Sequence, residues 1–120
     1  MKEKMKSYTD IEQSRKLSEI LPLESADMYY LYLKDNNHIV NPQPFVADGF
    51  EEREEGIYTY LNCWSLAALF DTLPISLNAL GNGRWNAMIL RDGEMRGVNA
   101  YNPIDACYEL ILKLHKLNLL

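Results

Sequence analysis

The chain has 120 residues, 48% hydrophobic and 24% charged, with 12 basic residues against 17 acidic ones for a net charge of −5. Six glycines and five prolines are too few for a collagen-like or low-complexity chain, and the hydrophobic content is too high for intrinsic disorder. The acidic balance lacks the clustered Lys and Arg that neutralise phosphates, so no nucleic-acid partner is expected, and no apolar run approaches the ~20 residues of a membrane helix.

Residues 1–7 hold Lys2, Lys4 and Lys6 and read as a frayed, solvated end without the apolar stretch of a secretory signal. Thr9 and Glu12 stand in capping-box spacing, which predicts a helix over 10–21 that stops at Pro22 and buries Leu17, Ile20 and Leu21. Met28 to Leu33 alternates with period two and leads through Asp35-Asn36-Asn37 to His38–Val40, predicting a hairpin over 28–41. One face of its first strand carries Tyr29, Leu31 and Leu33, the other Met28, Tyr30 and Tyr32. Residues 45–61 show no clear pattern. Within them Asp48, Glu51, Glu52, Glu54 and Glu55 face a single Arg53, an acidic run that reads as a solvated loop or short exposed helix. Without adjacent His partners or a folded cage it does not read as a metal site.

A helix is predicted over 62–73, with Asn62 as N-cap and Pro74 as its stop. Cys63, Leu66, Leu69, Phe70 and Leu73 then form its core stripe, with Trp64 off it. Asn82-Gly83 and Asp92-Gly93 suit type I′ turns and predict a three-stranded meander over 75–101. Asn102 and Pro103 open a last helix over 103–118. Its charges occupy a narrow strip, so it should be covered on more than one side, either centrally across a sheet or in a dimer interface. The fold class is α+β, one domain over 1–120, with an antiparallel sheet made of the hairpin and the meander packed against about three helices.

Four blocks taken together resemble a group of small bacterial and phage proteins without an assigned activity. They are SADMYY at 25–30, WSLAAL at 64–69 with Leu73-Pro74, Trp85, and NPIDACYELILKL at 102–114. The resemblance implies a compact accessory protein of a mobile element or its host. Tyr58–Asn62 departs from the group's pattern and reads as an insertion ahead of the tryptophan.

Two cysteines, Cys63 and Cys107, do not form a disulfide scaffold and suit a reducing, cytoplasmic setting. Cys63 is the sharpest catalytic candidate, because a thiol at a helix N-terminus gains thiolate character. The Cys-Trp dipeptide superficially resembles papain-like thiol hydrolases, though no Gly-Ser precedes it. A Cys63-dependent hydrolase or transferase would need His38 or His115 as its base. Against it, Cys63 shares a stripe with Leu66 and Phe70, where thiols are inert packing. His115, beside Ile111, Leu112 and Leu119, reads as a core-edge or interface imidazole. No zinc spacing, phosphate loop or nucleophile elbow occurs, and no metal or cofactor is expected.

Ten of the 13 aromatics are Tyr or Trp, types enriched at interfaces. Tyr30, Tyr32, Trp64 and the last helix around His115 are the expected contact surface. The favoured reading is a cytoplasmic, non-enzymatic protein acting through protein–protein contacts, homodimerisation included. A small-molecule-binding module with an aromatic pocket between sheet and helices is a further alternative.

Overall fold

A computed structural model of the chain describes residues 6–35, 38–46 and 54–120. The first helix, α1 (Ile11–Ser18), begins one residue later than Thr9 would allow. Asp10 is its N-cap and closes a capping box with Gln13, each side chain bonding the other's backbone amide. Thr9 is free for another role, described below. A 3-10 turn at Leu23–Ser25 follows Pro22 and leads into β1 (Met28–Leu33).

β1 is the centre of a five-stranded antiparallel sheet. β5 (Tyr58–Cys63) pairs with its whole length, from Met28 opposite Cys63 to Leu33 opposite Tyr58. The other edge of β1 is shared by two short strands. β2 (His38–Ile39) pairs with Tyr32 and Leu33, and β3 (Phe45–Val46) pairs with Met28 and Tyr29. β4 (Glu54–Glu55) adds to the far side of β5. The hairpin is thus as expected, while the unpatterned stretch supplies three further strands. The acidic positions 48–53 and the turn residues Asn36 and Asn37 lie outside the described residues.

The expected helix over 62–73 is shorter. Asn62 and Cys63 belong to β5, because the pairing with β1 runs on to Met28. α2 (Leu66–Thr72) is capped by Ser65, whose Oγ accepts from the Ala68 amide at 3.2 Å. Asp27 fixes that cap, accepting from the Ser65 amide at 2.9 Å and from its hydroxyl. Phe70, expected in the core, is exposed.

The meander forms a second, separate sheet of β6 (Ser76–Gly81), β7 (Arg84–Arg91) and β8 (Glu94–Ala100). Its two-residue turns, Asn82-Gly83 and Asp92-Gly93, have φ between 54° and 77°, the left-handed region that type I′ turns require. α3 (Pro103–Lys116) starts at its Asn102 cap and lies across β7 and β8. It takes the central of its two expected positions. Ile104, Cys107, Leu110, Ile111 and Leu114 are fully buried in one cluster with Ala87 and Ile89 of the meander, Leu17 of α1, Leu69 of α2, and Trp64. A second, smaller cluster joins Tyr30, Tyr32 and Cys63 under Ile11 of α1. The architecture is α+β, two antiparallel sheets held apart by three helices.

Candidate functional site

Every residue of the expected contact surface except His115 is interior. Trp64 is 0%, Tyr30 2% and Tyr32 4% exposed. The reason is Thr9. Its amide donates to the Trp64 carbonyl at 2.9 Å, and its Oγ1 accepts from the Trp64 amide at 3.1 Å. The same hydroxyl shares a 2.8 Å bond with Ser14 Oγ, while the Thr9 carbonyl accepts from the Tyr30 hydroxyl at 2.8 Å. Trp64 Nε1 donates to Ser25 Oγ at 2.9 Å. Tyr32 lies under α1, with the Arg15 guanidinium 5.5 Å from its ring centroid. Buried polar atoms must find such partners, and here they fix where α1 sits on the first sheet.

Cys63 belongs to this network. Its thiol donates to the Thr9 carbonyl at 3.3 Å and lies 3.5 Å from Thr9 Oγ1. Burial pushes its pKa up, outweighing the hydrogen bonds from Thr9, Ser14 and Tyr30 that favour thiolate. Placed on a strand, it has none of the helix-terminus activation expected of it. His38 stands opposite Leu33 and Cys63 opposite Met28, five residues apart along β1, or roughly 17 Å. His115 is exposed on the last turn of α3 rather than at a core edge. The structure therefore brings neither imidazole to the thiol.

The face of the first sheet turned away from α1 is different. Paired positions share a face, so Tyr29, Leu31 and Leu33 of β1 align with Phe45 of β3 and with Tyr60 and Tyr58 of β5. The Tyr29 ring stacks on Phe45, centroids 5.5 Å apart, and meets Tyr60 edge-on at 5.1 Å. None of these residues joins either core cluster, and Phe45 and Tyr58 are each 38% exposed. A half-exposed row of stacked aromatics is the patch type that marks interaction sites in soluble domains. The structure buries the Tyr30–Tyr32 face of β1 that the sequence pointed to and leaves the opposite face half-exposed.

A polar clamp ties the two long helices together at their N-termini. Lys6 Nζ donates to Asp10 Oδ2 and Asp105 Oδ1, both at 2.9 Å, and Gln13 Nε2 donates to Asp105 Oδ1 at 2.7 Å. Asn102 Nδ2 donates to the other Asp105 oxygen at 2.8 Å. Burial raises the Asp105 pKa, but the bonds from Lys6, Gln13 and Asn102 and the Lys6 charge outweigh it, and the carboxyl titrates below its ordinary 3.8. A carboxyl depressed in the folded state contributes stability above its unfolded pKa and loses it as pH falls through the folded value. Asp105→Asn is accordingly expected to lower the unfolding free energy by about 1–2 kcal/mol near neutral pH, screening by solvent included. The deficit should be smaller at an acidic pH below the depressed folded value, where the carboxyl is protonated in both states, than near neutral pH. Urea midpoints of both proteins at the two pH values check this. A deficit independent of pH would show that the carboxylate charge plays no part.

The described concavities are not aromatic. A groove of about 440 Å³ lies between the 3-10 turn and α2, lined by Glu24, Asp27 and Asp71 with Ser25 and alanines. Another of about 370 Å³ is lined by Val98, Glu109, Leu112, Lys113 and Lys116. Among the described residues no group of His, Cys, Asp and Glu is placed to hold a metal ion, and no helix is long and apolar enough to cross a membrane. The fold and surfaces thus define a small α+β protein whose most distinctive feature is an aromatic sheet face. No family, no curated protein and no solved structure matches the chain.

Proposed function

We propose that this is a non-enzymatic accessory protein of the cytoplasm that works by protein–protein contact through the aromatic face of its first sheet. The observation that carries the reading is the Phe45–Tyr29–Tyr60 row, stacked and edge-on, outside both cores. Tyr and Phe offer a large apolar area at little entropic loss, and tyrosine adds a hydrogen-bonding hydroxyl. The partner this face suits is basic. Five of the chain's 17 acidic residues fall at 48–55, between β3 and β5 in sequence, and tyrosine rings bind ammonium and guanidinium groups. Both cysteines are free and buried, which fits a reducing compartment. The resemblance to a group of small bacterial and phage proteins implies an accessory role and adds no chemistry to it.

Capture from lysate of the native cells tests the proposal. A stoichiometric protein partner should be retained by the wild type and by Tyr30→Phe. It should be lost at least about tenfold with the pair Tyr29→Ala and Phe45→Ala, as when hot-spot aromatics are truncated. Raising the salt to about 0.5 M should weaken retention of a basic partner. Equal retention by the paired variant and the wild type would place the contact elsewhere and overturn the reading.

A further inference from the structure

β6 is an edge strand of a different kind from the others. Among the described residues the edges of the first sheet are strands of two residues, and β8 carries Glu94 and Arg96. β6 runs for six residues and pairs only with β7. Five of the six are exposed, Leu80 at 50%, and α3 packs on β7 and β8 instead. No charged residue occurs between Asp71 and Arg84, in a chain whose net charge is −5. Natural proteins guard long edges with charge, proline or a covering element, and β6 has only the irregular register between Ala79 and Gly81.

The outer face of this sheet carries a second unusual feature. Asn78, Asn86 and Asn99 stand directly opposite one another across all three strands. Asn86 Nδ2 donates to Asn99 Oδ1 at 2.8 Å, while Asn78, at the open edge, has no side-chain partner among the described residues. Asparagine is disfavoured in strands, so three in one row are not explained by the stability of a single sheet. Rows of amides gain when they continue from strand to strand.

From the edge and the amide row together we propose that two copies of this chain associate through β6, antiparallel about a two-fold axis at Asn78. That register sets Asn78 against Asn78 of the second copy and Leu77 against Ala79. It keeps like faces together, as antiparallel pairing demands. The result is one continuous six-stranded sheet with an unbroken row of six asparagines. A two-fold interface presents the same patch twice, so an uncharged patch brings no like-charge repulsion to a chain of net charge −5, and β6 meets this condition. The proposal is independent of the aromatic face, which lies on the other sheet.

Sedimentation velocity at tens of micromolar chain should give a species of twice the monomer mass. Asn78→Lys and Asn78→Asp each place like charges directly opposite one another. Each should weaken association by about tenfold or more while leaving the circular dichroism unchanged. An equimolar mixture of the two should restore the dimer, since opposite charges then face each other. Hydrogen exchange of the wild type supplies a variant-free readout, with β6 amides slow in concentrated solution and fast on dilution. A monomeric wild type, a dimer indifferent to Asn78→Lys, a mixture that stays monomeric, or β6 amides whose exchange ignores concentration would each overturn the proposal.

Discussion

Replacing Trp64 with alanine is expected to lower the unfolding free energy by about 3–5 kcal/mol, the range for truncating a fully buried aromatic. The indole is 0% exposed and packs in the same cluster as Leu17, Leu69 and Ile104, so its loss leaves a cavity where α1, α2 and α3 converge. Its Nε1 also holds Ser25 Oγ, and its backbone is bonded to Thr9 on both sides, so the surrounding chain has little freedom to collapse into the space. Against a total of about 5–15 kcal/mol this is a large fraction, equivalent to a melting temperature lower by roughly 10–20 °C. Urea unfolding followed by circular dichroism, with Trp85 as the remaining indole, measures it. Trp64→Phe retains most of the apolar volume and should lose about 1–2 kcal/mol, from the smaller ring and from the lost Nε1 bond to Ser25, whose hydroxyl still donates to the Pro22 carbonyl. A loss below about 1 kcal/mol for Trp64→Ala would contradict a core position. It follows that Trp64→Ala is no probe of a binding surface, because any contact it abolished would be lost with the fold.

The same indole shows how the sequence misleads. Reading Asn62–Leu73 as one helix puts Trp64 about 100° from the Cys63–Leu66 stripe and so on the solvent side. The chain instead changes from strand to helix at Trp64, and a strand residue obeys a different period. The local mark of that change is Ser65, a preferred cap residue three positions beyond Asn62, and the change is fixed by β1 pairing as far as Cys63 and by Asp27 holding Ser65 from 38 positions away. The elements with local causes were legible. Asn82-Gly83 and Asp92-Gly93 fix two turns, and Asn102 with Pro103 fixes the start of α3. β3 and β4, of two residues each, and the six-residue β5 were not, because strands in an unpatterned stretch beside an acidic run owe their form to the partner strand.

The candidate surface was half legible for a related reason. Period two divides β1 into a Tyr29–Leu31–Leu33 face and a Met28–Tyr30–Tyr32 face, and composition alone would bury the leucines. The structure buries the tyrosines because their hydroxyls meet partners on the N-terminal segment. Tyr30 reaches the Thr9 carbonyl and Tyr32 the Arg15 guanidinium, the latter at 3.4 Å. Long-range hydrogen bonds decided which face became a surface, and these have no signature in the spacing of β1 itself. The clamp of Lys6, Gln13 and Asp105 belongs to the same class, joining positions 92 and 99 residues apart.

Neither cysteine is expected to react with iodoacetamide at about pH 8 until the protein unfolds. Burial alone pushes the Cys107 thiol from an ordinary 9.0 up to about 12, which reduces its thiolate fraction roughly a thousandfold. Both sulfurs are also 0% exposed, so reagent must wait for an opening of the structure. Cys63 has its pKa raised too, again by burial above all, and its hydrogen to sulfur is engaged with the Thr9 carbonyl. Labelling should therefore follow the urea transition for both residues, measured by mass shift after digestion. The pH profile carries the distinction that matters for function. A nucleophile activated for acyl or group transfer would label at Cys63 well below pH 8 and far ahead of Cys107, with the ratio collapsing in urea. If Cys63 labels in step with Cys107 across the transition, the thiol is packing and not a nucleophile.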